Sequence, residues 1–148
     1  MAYEIEHKYL VVNDSYKEMA TGKVDIQQGY LNRNPDRIVR IRKMGQKGFL
    51  TVKGRNTGAK RLEFEYEIPE KDAEEILKLA EPGIVEKTRY IIPYKGLVWE
   101  VDEFHGSLNG VVTAEVEIPE DGIKYEKPSF IGADITGDPK FYNSNMNI

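Results

Sequence analysis

Cysteine is absent from the 148 residues. Its absence excludes disulfides, thiolate metal centres and cysteine nucleophiles together. Histidine is nearly absent too, with two residues, and neither suits a general base. His7 alternates onto the strand face opposite Glu4 and Glu6, and His105 stands at a turn before Gly106, so both read as structural. Long apolar runs are missing: no stretch approaches the ~20 residues of a membrane span, and no apolar segment follows the N-terminus. A soluble, cytoplasmic protein with no membrane partner is expected. Blocks of Lys and Arg are missing as well, and the net charge is −4. That speaks against a nucleic-acid binder while leaving room for a local basic pocket. With no internal repeat, low-complexity tract or linker, residues 1–148 read as one domain, large enough for a core without staples.

What the chain does have is alternating charge. In Tyr3-Glu4-Ile5-Glu6-His7-Lys8-Tyr9, strand geometry puts Glu4, Glu6 and Lys8 on one face and Tyr3, Ile5, His7 and Tyr9 on the other. One face is therefore purely ionic. For a single strand, a solvated outer surface explains this.

The pattern recurs along the chain. Strands are expected at 3–11, 24–32, 37–44, 49–53, 60–68, 84–93, 97–104 and 111–118, with a short helix over 16–20 after Asn13-Asp14-Ser15. A second helix is expected over 71–81, where Ala73, Ile76, Leu77 and Ala80 share a face before Pro82-Gly83. From Asp121 onward, Gly122, Pro128, Gly132, Gly137 and Pro139 break the tail into short pieces. Eight strands is an even number that can close on itself. Within them Arg40 and Arg42 share a face, as do Lys87 and Arg89, Glu100 and Asp102, and Glu115 and Glu117. The strand 60–68 is the clearest: Arg61, Glu63, Glu65 and Glu67 alternate with Leu62, Phe64, Tyr66 and Ile68.

Two architectures accommodate this. In an open sheet the charges are outer surface and the apolar faces pack on helices. In a closed barrel with its apolar faces outward, the charges line the lumen. Solvated faces usually mix in Ser, Thr and Asn, whereas here arginines stand with paired carboxylates, and arginine suits bidentate contact with phosphate oxygens.

Glu4-Ile5-Glu6-His7-Lys8 resembles the Glu-x-Glu-x-Lys signature of the CYTH, or triphosphate tunnel metalloenzyme, superfamily. The resemblance extends through Gln28-Gly29-Tyr30-Leu31, Arg40-Ile41-Arg42, Lys53, Arg61 with Glu63 and Glu65, Glu86-Lys87-Thr88-Arg89-Tyr90, Glu100-Val101-Asp102, Glu115-Val116-Glu117 and Gly137-Asp138-Pro139-Lys140. It covers nearly the whole chain and implies a mainly β fold: a closed eight-stranded antiparallel barrel with a charged lumen and a few flanking helices. It also implies a triphosphate bound with a divalent metal, Mg2+ or Mn2+. By the same resemblance Glu4, Glu6, Glu115 and Glu117 hold metal, and hard oxygen ligands suit such ions. Lys8, Arg40, Arg42, Lys53, Arg61, Arg89 and Lys140 would spread positive charge along the phosphate chain, with Glu63, Glu65, Glu100 and Asp102 holding the basic groups in place. Lys87 and Tyr30 form the implied catalytic pair that orients or activates water.

The compact chain has no evident insertion for recognising a base, so inorganic triphosphate is the expected substrate. Class IV adenylyl cyclase or thiamine triphosphatase activity, and a non-catalytic polyphosphate- or nucleotide-binding module, are the alternatives. The helices are too few to cover all the apolar barrel surface, which leads to an expected homodimer; Phe64, Tyr66, Val116 and Ile118 would pack on the chain's own helices or on a second subunit.

Overall fold

The structure, a computed structural model, describes residues 3–146. Its strands are β1 (Tyr3–Val11), β2 (Gly22–Asn32), β3 (Ile38–Met44), β4 (Lys47–Lys53), β5 (Lys60–Ile68), β6 (Val85–Tyr94), β7 (Leu97–Phe104), β8 (Val112–Glu117) and β9 (Ile131–Asp134). Among the described residues two α-helices accompany them, α1 (Tyr16–Met19) and α2 (Glu70–Leu77). All eight expected strands are present to within two residues at either end.

The sheet runs in the order β5-β4-β3-β2-β6-β7-β8-β1, and β1 returns to β5, so the eight strands close. Closure is short and antiparallel: Tyr3 faces Leu62, Glu4 faces Arg61 and Ile5 faces Lys60. Beyond Ile5 that edge of β1 would be bare, and a bare edge needs partners for its N–H and C=O groups. Glu6 N donates to Ala59 O at 2.9 Å, and Lys8 N donates to Thr136 Oγ1 at 2.9 Å. β9 then pairs with Tyr9 and Val11. This ninth strand lies in the tail expected to be irregular, and the open half of the β1 edge is what orders it.

Turn chemistry follows the hairpin rule. Between β6 and β7 a two-residue loop places Lys95 at φ 51° and Gly96 at φ 84°, the left-handed pair that matches strand twist. α2 ends at Leu77 rather than at the expected Glu81, because Leu79 N and Ala80 N reach back three residues, to Ile76 O and Leu77 O. Such tightening of the last turn is a common way to end a helix. Gly48 lets α2 lie close on β4, since a Cβ there would stand 2.7 Å from the Ala73 Cβ.

The core lies outside the barrel wall. Tyr9, Tyr16, Ile92, Trp99, Val101, Ala114, Val116, Ile118 and Phe130 are buried together beneath α1 and the segment leading to β9. Val116 and Ile118 therefore pack within the chain itself, whereas Phe64 and Tyr66 on β5 stay exposed. A smaller cluster of Val85, Phe104 and Met146 forms elsewhere, where the tail docks against β6 and β7.

Candidate active site

Closing the barrel turns the ionic faces of the strands inward. A cavity of about 320 Å³ is lined by Glu4, Glu6 and Lys8 from β1, by Tyr30, and by Arg40 and Arg42. Lys53, Arg61, Glu63 and Glu65 join from β4 and β5, and Lys87, Arg89, Glu100, Glu115 and Glu117 from β6, β7 and β8. Asp102 lies beneath this lining, 1% exposed. Lys140 is exposed and does not line the cavity. Its neighbours Tyr142, Asn143 and Ser144 do.

Register explains the pairing. Arg89 sits opposite Asp102 across β6 and β7, and the two carboxylate oxygens accept from Nε at 2.8 Å and Nη2 at 3.0 Å. This two-point contact is the strongest form of arginine–carboxylate pairing. Lys87 Nζ stands 2.8 Å from Asp102 Oδ2, so one buried carboxylate serves two buried cations. Burial alone would raise Asp102, but Arg89 and Lys87 outweigh it and hold it well below the usual carboxylate range. Burial lowers Lys87 to about 8, against the pull of Asp102 and with help from Arg89. Arg40 and Arg42 share Glu65, each at 3.3 Å, while Thr51 Oγ1 donates to the same oxygen at 3.0 Å. The Nε atoms of Arg40 and Arg42 are buried without a hydrogen-bond partner among the described residues.

The opposite wall carries negative charge. Lys53 Nζ bridges Glu4 and Glu63 at 3.2 Å each, and Lys8 Nζ lies 3.7 Å from Glu115. Burial, opposed by Lys53 and reinforced by Glu63 and Glu115, raises Glu4 to about 7. Burial also raises Glu6 well above its ordinary value, with Glu115 and Glu4 adding repulsion. Glu117 is raised by burial and by Glu63 and Glu100. Glu115 is the exception: burial pushes it up, yet Lys8, Arg89 and Lys87 bring it down to about 2.

As the side chains stand, no group of three or more His, Asp or Glu among the described residues is arranged to hold a metal ion. Glu4 and Glu115 are instead turned to Lys53 and Lys8. The donor set still fits a hard divalent cation, being all oxygen, partly mutually repulsive and short of positive charge at Glu6 and Glu117.

Two residues that sequence reasoning did not assign to the site belong to it. Gln28 is fully buried, and its Nε2 donates to Tyr30 Oη at 3.1 Å and to Asn143 Oδ1 at 3.0 Å. A signal for Gln28 existed, since it shares a strand face with Tyr30. Asn143 lies in the irregular tail, where no periodicity marks an inward side chain. The histidines are where expected, away from the cavity: His7 Nδ1 pairs with Tyr125 Oη and His105 Nε2 with Thr88 Oγ1.

A curated inorganic triphosphatase of Acetivibrio thermocellus is 48% identical over 147 residues, covering 99% of this chain and 94% of its own length. A solved inorganic triphosphatase superposes with a TM-score of 0.68 at 29% identity, covering 99% of this chain and 95% of its own. A Hippeastrum adenylyl cyclase candidate with a dominant triphosphatase activity shares the fold alone, at 17% identity and a TM-score of 0.64, covering 79% of this chain and 80% of its own. The CYTH domain profile matches residues 2–142, and the chain belongs to the CYTH family.

Proposed function

We propose that this chain hydrolyses inorganic triphosphate within the charged cavity. The observation that carries the reading is the division of one cavity into two walls. On one, Arg40 and Arg42 keep buried Nε donors with no partner among the described residues; on the other, burial and neighbouring carboxylates raise Glu4, Glu6 and Glu117. A metal–triphosphate complex has both charges to match. Lys8, Arg40, Arg42, Lys53, Arg61 and Arg89 bind and orient the phosphate oxygens. Lys140 is left out of this set because it does not line the cavity. Glu63, Glu65, Glu100 and Asp102 fix those cations in place.

CYTH triphosphatases depend on divalent metal in general. Glu4, Glu6, Glu115 and Glu117 are the residues that would hold Mg2+ or Mn2+, which when bound would neutralise phosphate charge and polarise the phosphorus–oxygen bonds. The chain's own part in the chemistry is positional. A water oxygen attacks the terminal phosphorus in line, the bridging bond breaks, and pyrophosphate leaves beside orthophosphate. Lys87 accepts the water proton as a neutral amine, a state that its lowering to about 8 brings within reach. Tyr30 orients the same water.

Incubation of the pure protein with Mg2+ or Mn2+ and inorganic triphosphate, thiamine triphosphate or ATP separates the possibilities. Phosphate and pyrophosphate from inorganic triphosphate, faster than turnover of the other two, is the expected result. Cyclic AMP and pyrophosphate from ATP would overturn it, as would binding without turnover of any substrate. The outer face carrying Leu62, Phe64 and Tyr66 is assigned to a second copy of the chain, since these residues are exposed and no described residue covers them. Light scattering should give a dimer that Phe64→Ser weakens. The protein is assigned to the cytoplasm, with no nucleic-acid partner.

A further inference from the structure

Lys87 and Tyr30 stand on different strands, β6 and β2, and are joined by two amides. Lys87 Nζ donates to Asn143 Oδ1 at 2.7 Å. Gln28 Nε2 donates to the same oxygen at 3.0 Å and to Tyr30 Oη at 3.1 Å. The lysine sets the sense of the whole chain of contacts. A cationic nitrogen requires the oxygen of the Asn143 amide, not its NH2. That oxygen then requires the NH2 end of Gln28, whose second hydrogen is left for the Tyr30 oxygen. Tyr30 thereby accepts, and its own hydroxyl hydrogen is free to point elsewhere.

We propose that Asn143 and Gln28 are positioning residues that hold Lys87 and Tyr30 in reactive orientation. The inference rests on the reading of Lys87 and Tyr30 as the catalytic pair. An amine nitrogen has three positions beyond its carbon. Asp102 Oδ2 at 2.8 Å and Asn143 Oδ1 at 2.7 Å take two of them. The third is left to neither of them, and Lys87 lines the cavity. In the neutral amine both hydrogens satisfy the two acceptors, and the lone pair occupies the third position, where a water proton would arrive. With Asp102 as the sole acceptor, the amine would rotate and the lone pair would sample other directions.

Asn143 is itself held from both sides. Lys8 Nζ donates to Phe141 O at 2.5 Å and Arg33 Nε to Ser144 O at 2.9 Å. Two cations thus clamp the carbonyls flanking the amide, and a segment 115 residues distant from Gln28 in sequence completes the site. The charged groups facing Lys87 are Asp102 from β7, Arg89 from β6 and Glu115 from β8. Asn143 is the neutral member of that set, so exchanging it alters direction without altering charge.

The test uses the full chain with saturating Mg2+ and inorganic triphosphate, comparing Asn143→Ala, Asn143→Asp, Gln28→Leu and Lys87→Ala. Asn143→Ala should lower kcat by about ten- to hundredfold, on the scale of misplacing a reacting group, with KM within about threefold. Asn143→Asp keeps the acceptor but adds a negative charge beside the ammonium, so activity should return at higher pH and the pH–rate limb assigned to Lys87 should move upward. Gln28→Leu should lower kcat with KM held, and Lys87→Ala/Asn143→Ala should be no slower than Lys87→Ala alone. The inference is overturned by wild-type kcat in both Asn143→Ala and Gln28→Leu. It is also overturned if the Asn143→Ala loss adds fully to that of Lys87→Ala, or if Asn143→Asp leaves the pH limb in place. Wild-type turnover by Lys87→Ala removes the catalytic reading, and the positioning role with it. A severe Lys87→Ala defect beside a silent Asn143→Ala removes the positioning role alone.

Discussion

The two walls of the cavity solve the problem of buried charge in opposite ways. Around Asp102 the ledger is closed: one carboxylate takes two bonds from Arg89 and one from Lys87, all at 2.8 to 3.0 Å. Along Glu4, Glu6 and Glu117 it is open: burial and neighbouring carboxylates raise all three, and Lys53 offsets only part of this. A closed network is a scaffold that keeps its geometry without a ligand. An open one holds its groups in a state that an added cation relieves, so binding energy is stored there before any ligand arrives.

The largest effect is expected at Asp102. Removing it by Asp102→Ala leaves Arg89 and Lys87 buried without their shared carboxylate and should cost about 3–5 kcal/mol of stability, read from denaturant midpoints. On the open wall, Glu4→Gln should leave a folded protein whose metal-dependent turnover falls at least about a hundredfold, the upper end of what losing even an outer-shell ligand partner costs. Equal destabilisation by the two substitutions would show that the walls do not differ in kind.

The pH dependence of stability follows the local cation supply, and its sign differs between two carboxylates of the acidic wall. Glu4 titrates at about 7 in the fold against 4.5 as its ordinary value, so the native state holds the extra proton between those values. Its contribution therefore falls as pH rises from about 4.5 to 7. Glu115, at about 2 against 4.5, contributes stability that is present above 4.5 and lost as pH falls toward 2. The difference in metal-free melting temperature between Glu4→Gln and wild type should grow in the mutant's favour from pH 4.5 to 7. Added Mg2+ should then raise the wild type more than the mutant. A difference that shrinks over that range would contradict the open ledger.

The smallest effect is expected at Glu65, which is part-exposed and shared by Arg40 and Arg42. Glu65→Gln should raise KM for triphosphate about two- to fivefold, equivalent to at most about 1 kcal/mol for a solvent-screened pair. Its kcat should change less, since phosphate binding and not the Lys87 geometry is disturbed.

Much of this was legible before folding. The two-residue period of β5 places Arg61, Glu63 and Glu65 on one face whatever the sheet does, and each lines the cavity. Gln28 was equally legible by its spacing from Tyr30, though a neutral amide carries no charge to draw notice beside the arginines. The end of α2 was not, because the apolar spacing continues to Ala80 while the hydrogen bonds change from four residues back to three. Lys140 and Asn143 mark the limit. Both lie in a tail without periodicity, and a step of three positions separates the one that faces away from the one that lines the site.

By itself the sequence determined that Glu4, Glu6 and Lys8 share a face, because alternation is a property of the extended backbone. It could not decide from that alternation whether the face looked outward or inward. Three residue pairs between β1 and β5 made that decision by closing the sheet, and the tail completed it along the rest of the β1 edge. Local geometry sets which side chains go together. Long-range pairing sets the solvent they meet, and with it the charge state, the partners and the cavity that they form.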